Sequence, residues 1–342
     1  LAGAFYTDGS TRNVDSPIYR WDGAAMTQIQ AIPTHGAADW EAFTVDGEAY
    51  LAVANNHDDS TFNLDSVIHR WDGAAFVPFQ AVPSSGGYDW EAFTIDGEAF
   101  LALANQYDGS TRVLESPILR WDGSAFVELQ TITTRGNRGW EAFTIAGETY
   151  LVAANSQDDV TGQIDSAVYR WDGAAFVLHQ TIPTSWAFDW ESYDAAGDVY
   201  LAVANYYDGN SHATTSRIYR WDGALFQPVQ EVATFGAFDW EVTDLGGAPC
   251  LALANSYTGN SFRVDSWIFC WDGAAMAPSQ AIRTAGARAW NAFSAGGQPV
   301  LAVANHRDDA SVHVASQLFE SLEVVVPVQP RWWDVAADAS GV

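Results

Sequence analysis

The stretch Asp89-Trp90-Glu91-Ala92-Phe93-Thr94-Ile95-Asp96-Gly97-Glu98-Ala99-Phe100-Leu101-Ala102-Leu103-Ala104-Asn105 decides the fold. Asp89 to Ile95 alternates and meets Asp96-Gly97, the composition of a two-residue hairpin turn. Ala99 to Asn105 is a second run, rich in small apolar residues. An eleven-residue polar loop follows, Gln106 to Ser116. Pro117 to Trp121 is a third run, stopped by Asp122-Gly123, and Ala125 to Ile132 is a fourth. This predicts four antiparallel strands and no helix.

Outward from this unit, the chain repeats with a period of 50 residues. Trp21, Trp71, Trp121, Trp171, Trp221 and Trp271 each open a Trp-Asp-Gly. Trp40, Trp90, Trp140, Trp190, Trp240 and Trp290 form a second column, and Asn55, Asn105, Asn155, Asn205, Asn255 and Asn305 a third. Ser16 begins a column that ends at Ser316 and counts seven. Seven units of four short strands predict an all-β, seven-bladed β-propeller over residues 1–342 as a single domain. A linear solenoid needs capping repeats, and none is evident. Instead, Trp332 to Val342 reads as a lone first strand. With Trp332 in the Trp40 column, Leu1 follows Val342 as the second strand of the same blade. The chain is expected to close its ring there, which removes open sheet edges. A shortened connection is expected around Val324 to Arg331.

Composition fits this. The chain has 342 residues, 15 of them Arg and none Lys, against 43 acids, for a net charge of −28. Hydrophobic residues make up 48 %, enough to build a core, so this is not a disordered acidic tail. The charge excludes non-specific nucleic-acid binding, which needs cations against phosphate, and disfavours anionic membrane surfaces. No apolar run is long enough to span a membrane as a helix. The chain starts at Leu1 without a signal peptide and reads as a processed chain or an excised piece.

The repeated columns resemble the EAR repeat, also called EPTP or epitempin repeat. The resemblance rests on Asp-Trp-Glu-Ala-Phe, x-Asp-Gly, Tyr-Leu-Ala-Val-Ala-Asn, Ser-x-Ile-Tyr-Arg-Trp-Asp-Gly and Phe-x-x-x-Gln-x-Ile-x-Thr, and covers essentially the whole chain. The family is similar to the C-terminal half of leucine-rich glioma-inactivated proteins. The resemblance implies a seven-bladed propeller, secretion or display at the cell surface, and recognition or adhesion through protein partners rather than catalysis. It also implies that calcium can sit in the central channel on acids that open the inner strands.

Asp39, Asp89, Asp189 and Asp239 open the inner strands in four units, while Gly139 and Ala289 break the column and the closing blade has Arg331 nearby. Hard cations take several carboxylate and carbonyl oxygens, so these four are the candidate metal ligands. The alternative is that each Asp bonds backbone near its own strand. A second column, Asp8, Asp58, Asp108, Asp158, Asp208 and Asp308, is expected to shape turns, as are Asp15, Asp65, Asp165 and Asp265. Arg20, Arg70, Arg120, Arg170 and Arg220 are followed 21 residues later by Glu41, Glu91, Glu141, Glu191 and Glu241. Where Arg becomes Cys270, Glu becomes Asn291. This predicts ion pairs from each third strand to the next blade's first strand. Cys250 and Cys270 fall near one another in register and depart from their columns together, so a cross-strand disulfide is expected, with free thiols the alternative.

Off-column aromatics suggest a binding surface. Trp186, Phe188, Phe235 and Phe238 precede inner strands, and Tyr206, Tyr207 and Tyr257 follow second strands. Antiparallel connections put both sets on one face, over blades five and six. They read as a partner or glycan site, or as aromatics that bury one another. A propeller lectin is therefore the alternative function. An enzyme is disfavoured: columns repeated sevenfold argue scaffold, His35, His57, His69, His179, His212, His306 and His313 fall in different columns, and no Gly-x-Ser-x-Gly or His-Glu-x-x-His appears.

Overall fold

The computed structural model describes residues 1–22, 25–244, 247–312, 314–320, 326–328 and 335–336. These form seven four-stranded antiparallel sheets and no helix. Blade three is typical: Gly87–Ile95, Glu98–Asn105, Val113–Trp121 and Phe126–Arg135, each strand paired with the next. The expected turn is present, with Asp96 at φ 52° and Gly97 at φ 83°, the left-handed pair of a type I′ hairpin. The third strand starts four residues earlier than its hydrophobic pattern suggests. Val113, Leu114 and Glu115 pair with Arg135, Thr134 and Thr133 of the outer strand alone, so they need no apolar face.

Each hydrophobic core lies between two neighbouring blades. Trp90, Leu101, Leu103 and Phe126 of blade three pack on Tyr50, Ala52, Ile68 and Val82 of blade two. Backbone clasps reinforce the seam. Gln80 of the outer strand donates to the Phe126 carbonyl at 2.7 Å and accepts from the Phe126 N–H at 2.9 Å, and Gln30, Gln130, Gln180 and Gln230 repeat the arrangement.

The ring closes as expected, in a different register. Ala2 pairs with Ala336 and Gly3 with Val335. Gly3 occupies the place of Val53, whose partner is Trp40, so Val335 rather than Trp332 stands in the inner Trp column. Trp332, Val342 and Arg331 lie outside the described residues; within the expected Val324 to Arg331 connection, Val326–Val328 is instead the outer strand of blade seven, paired with Ser316–Leu318.

Among the described residues, no ion pair joins the Arg column to the Glu column. Arg120 instead binds Glu98 at 2.7 Å, Arg170 binds Glu148 at 3.3 Å, and Arg220 binds Asp198 at 3.6 Å. These acids open the second strand of the same blade, diagonal to the Arg, and the pairs are exposed. The Glu column is separated from the Arg column by an intervening strand and faces the channel. Glu41, Glu91, Glu141, Glu191 and Glu241 accept from the backbone N–H of Ala92, Ala142, Ser192, Val242 and Ala292 in the next blade, at 2.8–3.2 Å. The joint loss at Cys270 and Asn291 has no pairing behind it.

Candidate functional site

The site begins with a backbone irregularity. In blade three Gly87 pairs with Asn105 and Asp89 with Ala104, which leaves Tyr88 outside the ladder. The same bulge skips Ala38, Phe188, Phe238 and Arg288, and in blade four the break leaves out both Arg138 and Gly139. A bulge re-aims the side chain it carries. Here five of the six side chains form a continuous arc on the loop side of the inner strands, around the channel mouth. Arg138 Nη1 donates to the Tyr88 hydroxyl at 2.6 Å. Its guanidinium lies 4.5 Å from the Tyr88 ring centre and 4.0 Å from that of Phe188. Phe188 meets Phe238 edge-on at 4.8 Å, and Arg288 covers Phe238 at 4.0 Å. Burial pushes the Tyr88 phenol up and the Arg288 guanidinium down, with Arg138 adding to the latter. Arginine keeps its charge in such surroundings. The mouth thus presents two cations framed by aromatic faces.

Six of the seven aromatics singled out in the sequence are brought together beside this arc. Phe188 stacks on Tyr206 at 4.4 Å. His212 sits between Tyr206, Tyr207 and Tyr257 at 4.7, 4.8 and 5.0 Å. Trp186 meets Tyr207 edge-on at 5.1 Å. Phe188 and Phe238 are buried in this cluster and the others partly so. Phe235 stands apart on the outer rim, 39 % exposed.

Trp186 occupies a place where blades two, three, four, six and seven begin with glycine. At Gly86 a Cβ would meet the Tyr107 carbonyl oxygen at 2.5 Å, and the backbone is left-handed. Trp186 takes that conformation, φ 47°, a rare one for a bulky residue. Its indole fills the space above Gly162, where a Cβ would lie 2.2 Å from the ring. Arg12, Phe62, Arg112, His212, Phe262 and Val312 hold side chains in the place of Gly162. The tryptophan and the glycine are therefore one coupled change.

The candidate metal ligands are committed elsewhere in part. Asp39, Asp89, Asp189 and Asp239 each accept, through Oδ2, from the backbone N–H of Trp90, Trp140, Trp240 and Trp290 in the next blade at 2.7–2.9 Å. Each Asp thus bonds backbone across the seam, and Asp189 also takes the expected bond from Trp190 of its own strand. With the Glu column these carboxylates line the channel below the arginines. Burial pushes Glu141 up to about 7. Burial, reinforced by neighbouring carboxylates, also pushes Glu91 and Glu191 up, and burial raises Asp189. Among the described residues, no three His, Cys, Asp or Glu side chains converge as metal ligands. The channel fits a cation's charge; its side chains as placed do not make a coordination shell.

The loop acids shape turns. Asp58 Oδ1 accepts from the N–H groups of Ser60 and Thr61 at 2.9 and 2.8 Å, and the Ser60 hydroxyl bond, with these two, holds its carboxyl down at about 2. Thr258 does the same with its hydroxyl. Cys250 and Cys270 lie directly opposite and form a disulfide, S–S 2.07 Å. It stands where other blades pair a tyrosine or phenylalanine with an arginine, as Tyr50 with Arg70. Sequence reasoning missed Tyr88, Arg138 and Arg288. Their signal was a column of mixed aromatic and Arg residues where neighbouring columns hold one residue type.

Fold and site together define a seven-bladed propeller whose elaborated face is the loop face of the ring. The EPTP domain matches at residues 27–72, 75–122, 125–172 and 175–222, more than half the chain. The chain belongs to the EPTP domain family. A human thrombospondin-type laminin G domain and EAR repeat-containing protein is 53 % identical over 45 residues, 13 % of this chain and 7 % of that protein. Its mouse counterpart is 42 % identical over 57 residues, 16 % of this chain and 8 % of that protein. The matched stretches thus span less than a tenth of these relatives. Among solved structures, a candidate 6-phosphogluconolactonase of Bacteroides fragilis superposes with a TM-score of 0.65 over 97 % of this chain and 96 % of that one, at 13 % identity. One of Bacteroides uniformis gives 0.66 over 95 % and 94 %, also at 13 % identity. Both are similar in fold alone.

Proposed function

We propose that this chain is a non-enzymatic extracellular recognition module that binds a protein partner at the loop-face mouth of its channel. The carrying observation is the arc Tyr88–Arg138–Phe188–Phe238–Arg288. Two guanidiniums set among aromatic faces suit an acidic segment with an aromatic neighbour, because a carboxylate can take two parallel N–H bonds from a guanidinium. Aromatic and Arg anchors are also the residue types that dominate binding energy at interfaces. The Cys250–Cys270 disulfide supports an oxidising compartment. Selection of a displayed random-peptide library against the intact protein tests the reading. Enrichment of peptides with Asp or Glu beside an aromatic residue supports it. Enrichment of basic peptides, or none, counts against it.

The second part of the reading places a structural calcium in the channel. It rests on the buried carboxylates, whose mutual repulsion a cation would relieve. Asp39, Asp89, Asp189 and Asp239, with the Glu column beneath, would have to turn towards the axis to supply its oxygens, since as placed they make no shell. A melting temperature that rises with millimolar calcium and falls with chelator supports this, and one that responds to neither removes it.

A further inference from the structure

In a chain of near-identical units, replacements that depart from their columns and still line one cavity are the strongest signal available. The outer rim between blades four and five carries such a set. Blade five has Thr215 where Asp15, Asp65, Glu115, Asp165 and Asp265 hold the column. It has Arg217 in place of Pro17, Val67, Pro117 and Ala167, and Phe235 in place of His35, Ser85, Arg135, Ser185 and Ala285. These three, with Gln163, Asp165 and Asp208, line an open groove of about 720 Å³. On its far side Phe235 borders a second groove of about 460 Å³, with Trp267, Arg263 and Arg283. Phe235 is a ridge shared by both.

The ridge is held in place. The Phe235 N–H donates to Asn255 Oδ1 at 2.8 Å, and its carbonyl accepts from Ser256 and Tyr257 at 3.2 Å each. Its ring nevertheless stays well exposed. An aromatic face held by fixed backbone loses little freedom on binding.

The charge around it decides the ligand. Arg217 bonds Glu231 through Nε and Nη2 at 3.2 Å each, Arg263 meets Asp308 at 2.7 Å, and Arg283 meets Asp265 at 3.8 Å. Every guanidinium on the ridge has a carboxylate beside it, so no positive field is left to select an anion. What remains is an apolar platform ringed by donors and acceptors at close spacing. A sugar ring matches it: apolar C–H on one face, hydroxyls that donate and accept around the edge. Pockets with an apolar base and a few placed polar groups are the common form of small-ligand sites.

We propose that the Phe235 ridge binds a neutral oligosaccharide, with one ring on Phe235 and its neighbours reaching into the two grooves. This site is separate from the channel mouth and stands without the protein-partner reading. The test is a glycan array probed with the intact protein, followed by calorimetry on the best neutral glycan. The expected result is binding that Phe235→Ala weakens by tenfold or more, that Thr215→Asp also weakens, and that Arg138→Gln leaves unchanged. Circular dichroism melts confirm that the variants are folded. No glycan bound above background overturns the proposal, as does equal binding by Phe235→Ala. A preference confined to sulfated or carboxylated glycans overturns the neutral assignment.

Discussion

Blades two and three hold most of their columns, whereas blades four to six depart from them mainly along the loop face. Both regions share the same inter-blade core, the same Gln clasps and the same loop turns, built on Asp in every blade but the sixth, where Thr258 stands in. The difference is therefore not one of architecture. In blades two and three a position repeats because the seam with the next blade requires it. Around blades four to six the seam is kept, and the residues above it have changed together: Gly162 with Trp186, and Thr215 with Arg217 and Phe235. Coupled departures of this kind separate recognition surface from scaffold.

The sharpest way to break the comparison is to restore a column by force. Gly162→Arg, which copies Arg112, drives a side chain into the Trp186 indole and is expected to cost about 3 kcal/mol, the upper range for overpacking. The double change Gly162→Arg with Trp186→Gly restores the pattern of blade three and should recover most of that loss. Urea unfolding checks both. A single variant as stable as wild type would show that the two positions are not coupled.

Next in size is the disulfide. Its cysteines are 20 residues apart, and closure of such a loop is worth about 3 kcal/mol. Reduction should lower the unfolding midpoint accordingly. Cys250→Tyr with Cys270→Arg, which copies blade two, should be insensitive to reductant.

The channel acids predict a pH effect. Glu141 titrates near 7 in the folded protein against 4.5 for an ordinary glutamate. The native state keeps a proton that the unfolded chain has released. The stability this group contributes is complete below pH 4.5 and is lost as pH rises through about 7. His69 acts in the opposite direction. Burial lowers it to about 4 from 6.5, so its contribution is present above pH 6.5 and is lost as pH falls through 4. Glu141→Gln should flatten the decline in melting temperature between pH 5 and pH 8. An unchanged slope would show that the carboxylate is not buried in solution.

The smallest effect is expected at the kept columns. Arg120→Ala removes an exposed pair with Glu98 and should change stability by less than about 1 kcal/mol. A larger loss would mean that the Arg column belongs to the seam after all.

The fold was largely legible in the sequence because a propeller repeats its own evidence. The hairpin turn, the small apolar second strand and the ring closure each followed from residue types at fixed spacing. The register of the closing strand was not legible, because two adjacent tryptophans outweighed the weaker pattern around Val335. The Arg–Glu pairing failed for a physical reason: spacing along the chain shows that two columns share a unit, not which way their side chains point. The aromatic cluster was legible from off-column residues. Arg138 and Arg288 were not, because a bulge re-aims them and no periodic pattern reports a bulge.

Affinity of an acidic, aromatic-bearing peptide for two double variants tests the central claim most directly. The account predicts that Arg138→Gln with Arg288→Gln weakens binding by about a hundredfold, in line with loss of buried charge contacts, while Arg120→Gln with Arg170→Gln binds as wild type. Equal binding by both pairs, or loss through the exposed pair, would contradict it.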